Sequence, residues 1–184
     1  MQPPTINIPQ EKIIPHSQLV QGRFLGQGGY GRVYEAKWKN DTVAMKQLIL
    51  EKMNKQAQEE FEQEITLHMK LSHPRVIRLY GIIAEAGQAY GMVMEYAEKG
   101  SLFSLLEKTK QAEFGWDQRK IIALDASEGL QYLHQNGIIH RDLKSLNVLI
   151  AKKCRAQLAD FGLSKVRAQT SSQTELQVKG TIQF

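Results

Sequence analysis

The chain has 184 residues, 42% of them hydrophobic, with 24 Lys and Arg against 19 Asp and Glu for a formal charge of +5. That is enough apolar sequence for a core in one domain or in two small lobes, and the interspersed charges form no basic block of the kind that points to nucleic acid. A single cysteine, Cys154, excludes an internal disulfide and suits a reducing, cytoplasmic location; no apolar run approaches the roughly 18 residues of a membrane span, and no signal-peptide pattern opens the chain.

Four of the five prolines, Pro3, Pro4, Pro9 and Pro15, fall in the first sixteen residues, so residues 1–17 read as an extended lead-in with little packing of its own. Strand-like runs follow at 20–25, 32–38 and 42–48. Residues 52–71 have a helical period, with Phe61, Ile65 and Leu67 or Leu71 on one side. Two more strand-like runs cover 76–83 and 89–96, and residues 97–100 read as a linker. Ser101 is placed to cap a short helix over 102–108, and Asp117 to cap a longer one. The longer helix has Ile121, Leu124, Leu130 and Leu133 as its expected core face and Gly137 as its stop. Short strand-like runs return at 148–150 and 156–159.

The chemistry lies on this frame. Gly26-Gln27-Gly28-Gly29-Tyr30-Gly31-Arg32-Val33 fits a glycine-rich phosphate loop, and it joins two strands where a dinucleotide fold would pass from strand to helix. Without Cβ atoms the backbone can approach phosphates closely. Val43-Ala44-Met45-Lys46 offers a cation on the next strand. Glu64 is the favoured carboxylate to hold it, ahead of Glu62, which falls on a different side of the helix. His140-Arg141-Asp142-Leu143-Lys144-Ser145-Leu146-Asn147 is followed by Asp160-Phe161-Gly162. Phosphoryl transfer asks a protein mainly for positioning and charge neutralisation. Asp142 suits the group that orients and deprotonates a hydroxyl, and Lys144 is a positive charge beside the transferring phosphoryl. Asn147 and Asp160 are oxygen donors of the type Mg²⁺ demands.

In this order the motifs resemble the eukaryotic-type protein kinase family over roughly residues 18–184. The resemblance implies an α+β, bilobal fold: a five-stranded N-lobe with one helix over about 18–96, a hinge at about 95–100, and the first part of a helical C-lobe over about 101–184. It implies ATP and Mg²⁺ as cofactors and serine or threonine of proteins as acceptors, with neither nucleic acid nor membrane as a partner. By the same resemblance Lys46 meets the α- and β-phosphates, Met94 is the gatekeeper, and the backbone of Glu95 and Ala97 meets the adenine edge. Leu25, Val33, Ala44 and Leu149 form the apolar walls.

Trp38, Leu143-Lys144-Ser145 and Gly180-Thr181-Ile182 look closest to the tyrosine-kinase-like serine/threonine group. Tyrosine or dual specificity, and a nucleotide- or partner-binding module without catalysis, are the alternatives. Arg141 would pair with phosphate placed on Thr170, Ser171, Ser172 or Thr174 by an upstream kinase or by autophosphorylation. His68 stands where the family usually has an apolar residue of its regulatory spine. The sequence stops at Phe184, before an A-P-E motif, so the expectation is a kinase domain cut inside its activation segment and inactive as this piece.

Overall fold

The structure, a computed structural model, describes residues 8–27, 31–49, 55–84, 91–108, 114–161 and 165–166. The chain divides into two units, one made of Met1–Leu71 with Arg78–Tyr96 and the other of Ser72–Ile77 with Ala97–Phe184.

In the first unit β1 (Leu19–Gln27), β2 (Gly31–Trp38), β3 (Asp41–Leu48), β4 (Leu79–Ile83) and β5 (Gly91–Glu95) form an antiparallel sheet in the order β1-β2-β3-β5-β4. Side chains alternate across a strand, and the register sorts them into two faces. Ala36, Val43, Met45, Val93 and Ile83 occupy one face, in a core shared with Ile14 and Leu19. On the other face Leu48, Leu79, Ile82 and Met92 pack with Phe61 and Ile65 of helix α1 (Lys55–His68).

The lead-in departs from expectation. Single 3₁₀ turns at Gln10–Lys12 and His16–Gln18 each start behind a proline, Pro9 and Pro15, whose fixed φ sets the turn. Between them Ile13 bridges Ile82 in parallel, and the Ile14 amide donates to the Ile82 carbonyl at 2.8 Å. Ile14 is 4% exposed. The contact needs a glycine at Gly81, where a Cβ would stand 2.5 Å from the Lys12 carbonyl oxygen. From Ile8 onward, then, the lead-in is part of the sheet's cover; residues 1–7 lie outside the described residues.

Helix α1 ends three residues short of the expected limit because Lys70 and Leu71 donate to Leu67 and His68, three residues back, and tighten the chain into a turn. His68 closes the helix buried, at 2% exposure.

The run expected as one strand over 76–83 is divided between the units. Ile77 donates to Leu158 and Leu158 to the Arg75 carbonyl in the second unit, while β4 begins only at Leu79.

The second unit holds α2 (Leu102–Lys108), α3 (Trp116–Gln135), β6 (Ile138–Ile139), β7 (Val148–Ile150), β8 (Ala156–Leu158) and β9 (Lys165–Val166), with β7 pairing β8 and β6 pairing β9. Ser101 caps α2, its Oγ accepting from the Ser104 amide at 3.1 Å. Helix α3 starts one residue before Asp117: Gly115 is its N-cap and Asp117 sits in the first turn. Its stop is at Gly137, with φ 71° and its amide on the His134 carbonyl.

The face of α3 is a second correction. Ile121 and Leu124 are exposed, at 44% and 60%, and Leu130 is half-buried; the buried positions are Ile122, Asp125, Gly129 and Leu133. Asp125 is buried because its carboxylate accepts from Arg155 at 2.6 and 2.8 Å and from the Ala156 amide at 2.8 Å, and pairs with Arg75 at 2.9 Å. Gly129 is buried because a Cβ there would stand 2.8 Å from the Arg75 carbonyl oxygen. Leu133 is buried as expected, but an aspartate and a glycine share the inner face with it, so the apolar period misplaces Ile121 and Leu124.

Candidate active site

In the first unit the register places Val33 opposite Lys46 and Ala44 opposite Met94. Val33, Ala44, Lys46 and Met94 therefore share one face of the sheet, all half-buried. Glu64 is buried on α1 and meets Lys46 from its helix, with Lys46 Nζ donating to Oε1 at 2.9 Å and to Oε2 at 3.2 Å. This bidentate ion pair ties helix to strand and fixes where the ammonium stands. Leu25 is 40% exposed on β1. Gly26 pairs with Val33 and Gln27 with Arg32, whose Nε donates to the Gln27 Oε1 at 3.4 Å. Gly31 is needed as glycine, since a Cβ would stand 2.9 Å from the Gln47 carbonyl oxygen. Gly28, Gly29 and Tyr30, between the two strands, lie outside the described residues. Glu95 ends β5 with its amide on the Arg78 carbonyl at 2.9 Å.

In the second unit Ala97 is buried, and its carbonyl accepts from the Gly100 amide. Lys99 and Gly100 exchange backbone bonds with Ile150, beside half-buried Leu149 on β7. The loop from His140 to Asn147 is held from inside. His140 Nε2 lies 3.1 Å from the Ala159 carbonyl oxygen, which can only accept. Its Nδ1 receives the Asp142 amide at 3.4 Å. These partners define a neutral ring protonated on Nε2. Burial agrees, holding His140 below the usual histidine range against the raising pull of its bond to Ala159. The ring also lies 5.5 Å from that of Phe161, which is 1% exposed.

Asp142 is 9% exposed. Its Oδ2 meets Lys144 Nζ at 2.9 Å and accepts from Asn147 Nδ2 at 3.0 Å, and the same Nδ2 donates to the Asp142 carbonyl at 2.8 Å. With its nitrogen committed, Asn147 has its amide oxygen as the remaining polar atom of the side chain. The Ala159 amide donates to the Asn147 carbonyl at 2.9 Å, which ties the exposed Asp160 to the same loop. Arg141 and Asp160 both have left-handed backbones, φ 65° and 64°. Such conformations are rare away from glycine and concentrate at functional sites. Gly162, the Thr170–Thr174 cluster and Thr181 lie outside the described residues.

The donors fit Mg²⁺, which is commonly held by one or two carboxylates together with substrate phosphates. Among the described residues no group of three or more His, Cys, Asp or Glu would hold a metal alone. Asn147 and Asp160 instead present an amide and a carboxylate oxygen from two loops joined by a backbone bond.

One set of contacts had no motif to announce it. Arg23 Nε donates to Glu35 Oε2 at 2.8 Å and its Nη2 to the Tyr96 hydroxyl at 2.6 Å. Its only sequence signal is Gly22, and that becomes readable once the β1–β2 register is known.

A family model for the protein kinase domain matches residues 19–184. A calcium/calmodulin-regulated receptor-like kinase of Arabidopsis thaliana is 42% identical over 146 residues, 77% of this chain and 32% of that protein. An Arabidopsis protein provisionally named a leucine-rich repeat receptor-like serine/threonine-protein kinase is 39% identical over 167 residues, 88% of this chain and 19% of that protein. A LysM domain receptor-like kinase of Oryza sativa is 37% identical over 165 residues, 87% of this chain and 26% of that protein. The chain thus spans less than a third of the length of these relatives. No helix among the described residues is long and apolar enough to cross a membrane.

Proposed function

Because the chain belongs to the protein kinase domain family, we propose that it transfers the terminal phosphoryl group of ATP to serine or threonine hydroxyls of protein substrates. The observation that carries this reading is the Asp142 carboxylate, held at one oxygen by Lys144 and Asn147 and fixed relative to Asp160 through Ala159. Asp142 orients the acceptor hydroxyl and takes its proton. Lys144 neutralises charge that develops on the transferred group. Lys46, positioned by Glu64, holds the α- and β-phosphates, with the backbone of residues 26–33 around them. The resemblance assigns Val33, Ala44, Met94 and Leu25 of the first unit and Leu149 of the second to the walls around the base, and the backbone of Glu95 and Ala97 to its edge. Asn147 and Asp160 hold Mg²⁺, which supplies charge neutralisation on the triphosphate.

The serine/threonine acceptor is supported by the Arabidopsis relative that bears that name and by Lys144 in the loop. Trp38, Leu143-Lys144-Ser145 and Gly180-Thr181-Ile182 favour the tyrosine-kinase-like group. Phosphate on Thr170, Ser171, Ser172 or Thr174, paired with Arg141, is the favoured mode of activation.

The test is Asp142→Asn in the full-length gene product. Turnover should fall by about 10²–10⁴-fold, the usual worth of a general base, with calorimetric affinity for Mg–ATP retained. Asp160→Asn should weaken Mg–ATP binding itself. The reverse pattern would overturn both assignments.

A further inference from the structure

Strand β1 shifts register against β2 twice, between Gln21 and Phe24 and between Phe24 and Gly26, and the first shift bears on the site. Gln21 pairs with Ala36 and Phe24 with Tyr34, so Gly22 and Arg23 together stand opposite Glu35, the two-against-one arrangement of a β-bulge. The fit is close: a Cβ on Gly22 would lie 3.1 Å from the Glu35 carbonyl oxygen. A bulge re-aims the side chain it displaces, and this one delivers Arg23 to Glu35 and Tyr96 at 2.8 and 2.6 Å.

The second contact is a long reach. Tyr96 directly follows β5, and β2 and β3 lie between β5 and β1 in the sheet. Three strand spacings make roughly 14 Å, a distance an arginine and a tyrosine meeting head to head can span. Glu35 stands opposite Ala44, and Ala44 opposite Met94. The bridge therefore lies on the face that carries Val33, Ala44, Lys46 and Met94, the residues assigned above to the nucleotide. It joins the β1–β2 hairpin, which carries the glycine-rich turn at its far end, to the end of β5.

We propose that Arg23, Glu35 and Tyr96 form a latch that fixes the β1–β2 hairpin in the pose that receives the nucleoside triphosphate, making them positioning residues for nucleotide binding. This rests on the phosphotransferase reading. The Arg23 side chain is 68% exposed and that of Glu35 27%. Exposed pairs contribute little to folding, so the value of the latch is geometric. Its ionic state is secure at neutral pH: the bond to Arg23 holds the Glu35 carboxyl below the usual range, and the bonds to Glu35 and Tyr96 raise Arg23.

The test uses the full-length gene product and reads calorimetric affinity for Mg–ATP, kcat and KM for ATP, and the nucleotide-free melting temperature. Arg23→Ala, Glu35→Gln and Tyr96→Phe should each weaken Mg–ATP binding and raise KM by about two- to five-fold, the scale of one exposed charged contact. Neither kcat nor the nucleotide-free melting temperature should move. Arg23→Lys should keep part of the affinity, and the exchange of Arg23→Glu with Glu35→Arg should recover part of it. Unchanged affinity in all three single variants of a protein that binds Mg–ATP would overturn the latch and leave the kinase reading standing. A fall in melting temperature that accounts for the lost affinity would reduce the cluster to a brace and also overturn it. A parent protein that binds no Mg–ATP overturns both readings.

Discussion

The amide of Ile14 donates to the carbonyl of Ile82 at 2.8 Å, so a segment that precedes the first strand is hydrogen-bonded to the sheet's outer strand, β4. An open strand edge is a template for pairing with other chains. Residues 12–14 cover this one, and Ile14 fills the core beneath. Removing the side chain should therefore act like any deletion from a packed interior. Ile14→Ala is expected to cost about 2–5 kcal/mol in urea unfolding; a loss below about 0.5 kcal/mol, typical of a surface site, would return the segment to the status of a tether.

Asp125 should be as sensitive, for an electrostatic reason. Its carboxylate is the common partner of Arg75, Arg155 and the Ala156 amide. Asp125→Ala leaves two guanidinium groups in a half-buried site without that acceptor, and such deletions cost about 3–5 kcal/mol. Chemical denaturation of the variant measures it, and a near-neutral result would show that Glu128, 3.0 Å from Arg75, takes over the charge.

Lys46→Met in the full-length gene product should remove most phosphotransfer while the far-ultraviolet circular dichroism stays unchanged. The lost ammonium is bonded to Glu64 at 2.9 Å and is the group assigned to the phosphates. Activity near that of the parent protein would move the phosphate contact to another cation.

The pH dependence of stability should carry a signature of His140. Burial, the largest influence on it, depresses its proton affinity in the folded state. The unfolded chain protonates the same ring near pH 6.5. Between the folded value and 6.5 the unfolded state binds more protons, so stability rises with pH across that window. The contribution is complete above about pH 6.5 and is lost as the pH falls through the folded value. Melting temperatures taken between about pH 5 and 7.5 should fall on the acid side, and His140→Asn should flatten that fall. An unchanged slope would assign it to other groups.

The strands and the α1 helix were legible because their apolar residues repeat at periods of two and 3.6, and Ser101 because a cap is a local signal. The choice of Glu64 as the partner of Lys46 came from the family resemblance, through its distance from Leu71-Ser72-His73-Pro74, and not from periodicity. What escaped has a common cause: the deciding partner is distant in sequence. Prolines dominated the reading of residues 1–17, and nothing local said that Ile13 and Ile14 would meet Ile82. The apolar period of α3 named Ile121 and Leu124, because the burial of Asp125 depends on Arg75 and Arg155. Residues 76–83 looked like one strand since both halves are apolar, and only their partners, Leu158 on one side and β5 on the other, separate them. Arg23 was hidden because a bulge is a mismatch between two strands and cannot be seen in one.

The division between Ile77 and Leu79 has a consequence in time. Val76 and Ile77 belong with Leu158, yet a ribosome extending the chain at about 5–20 residues per second delivers Leu158 roughly 4–16 s after Ile77. Strand β4 is followed closely by β5, so the first unit's sheet can close in that interval. The last contacts of Val76 and Ile77 therefore form only once Leu158 has been made.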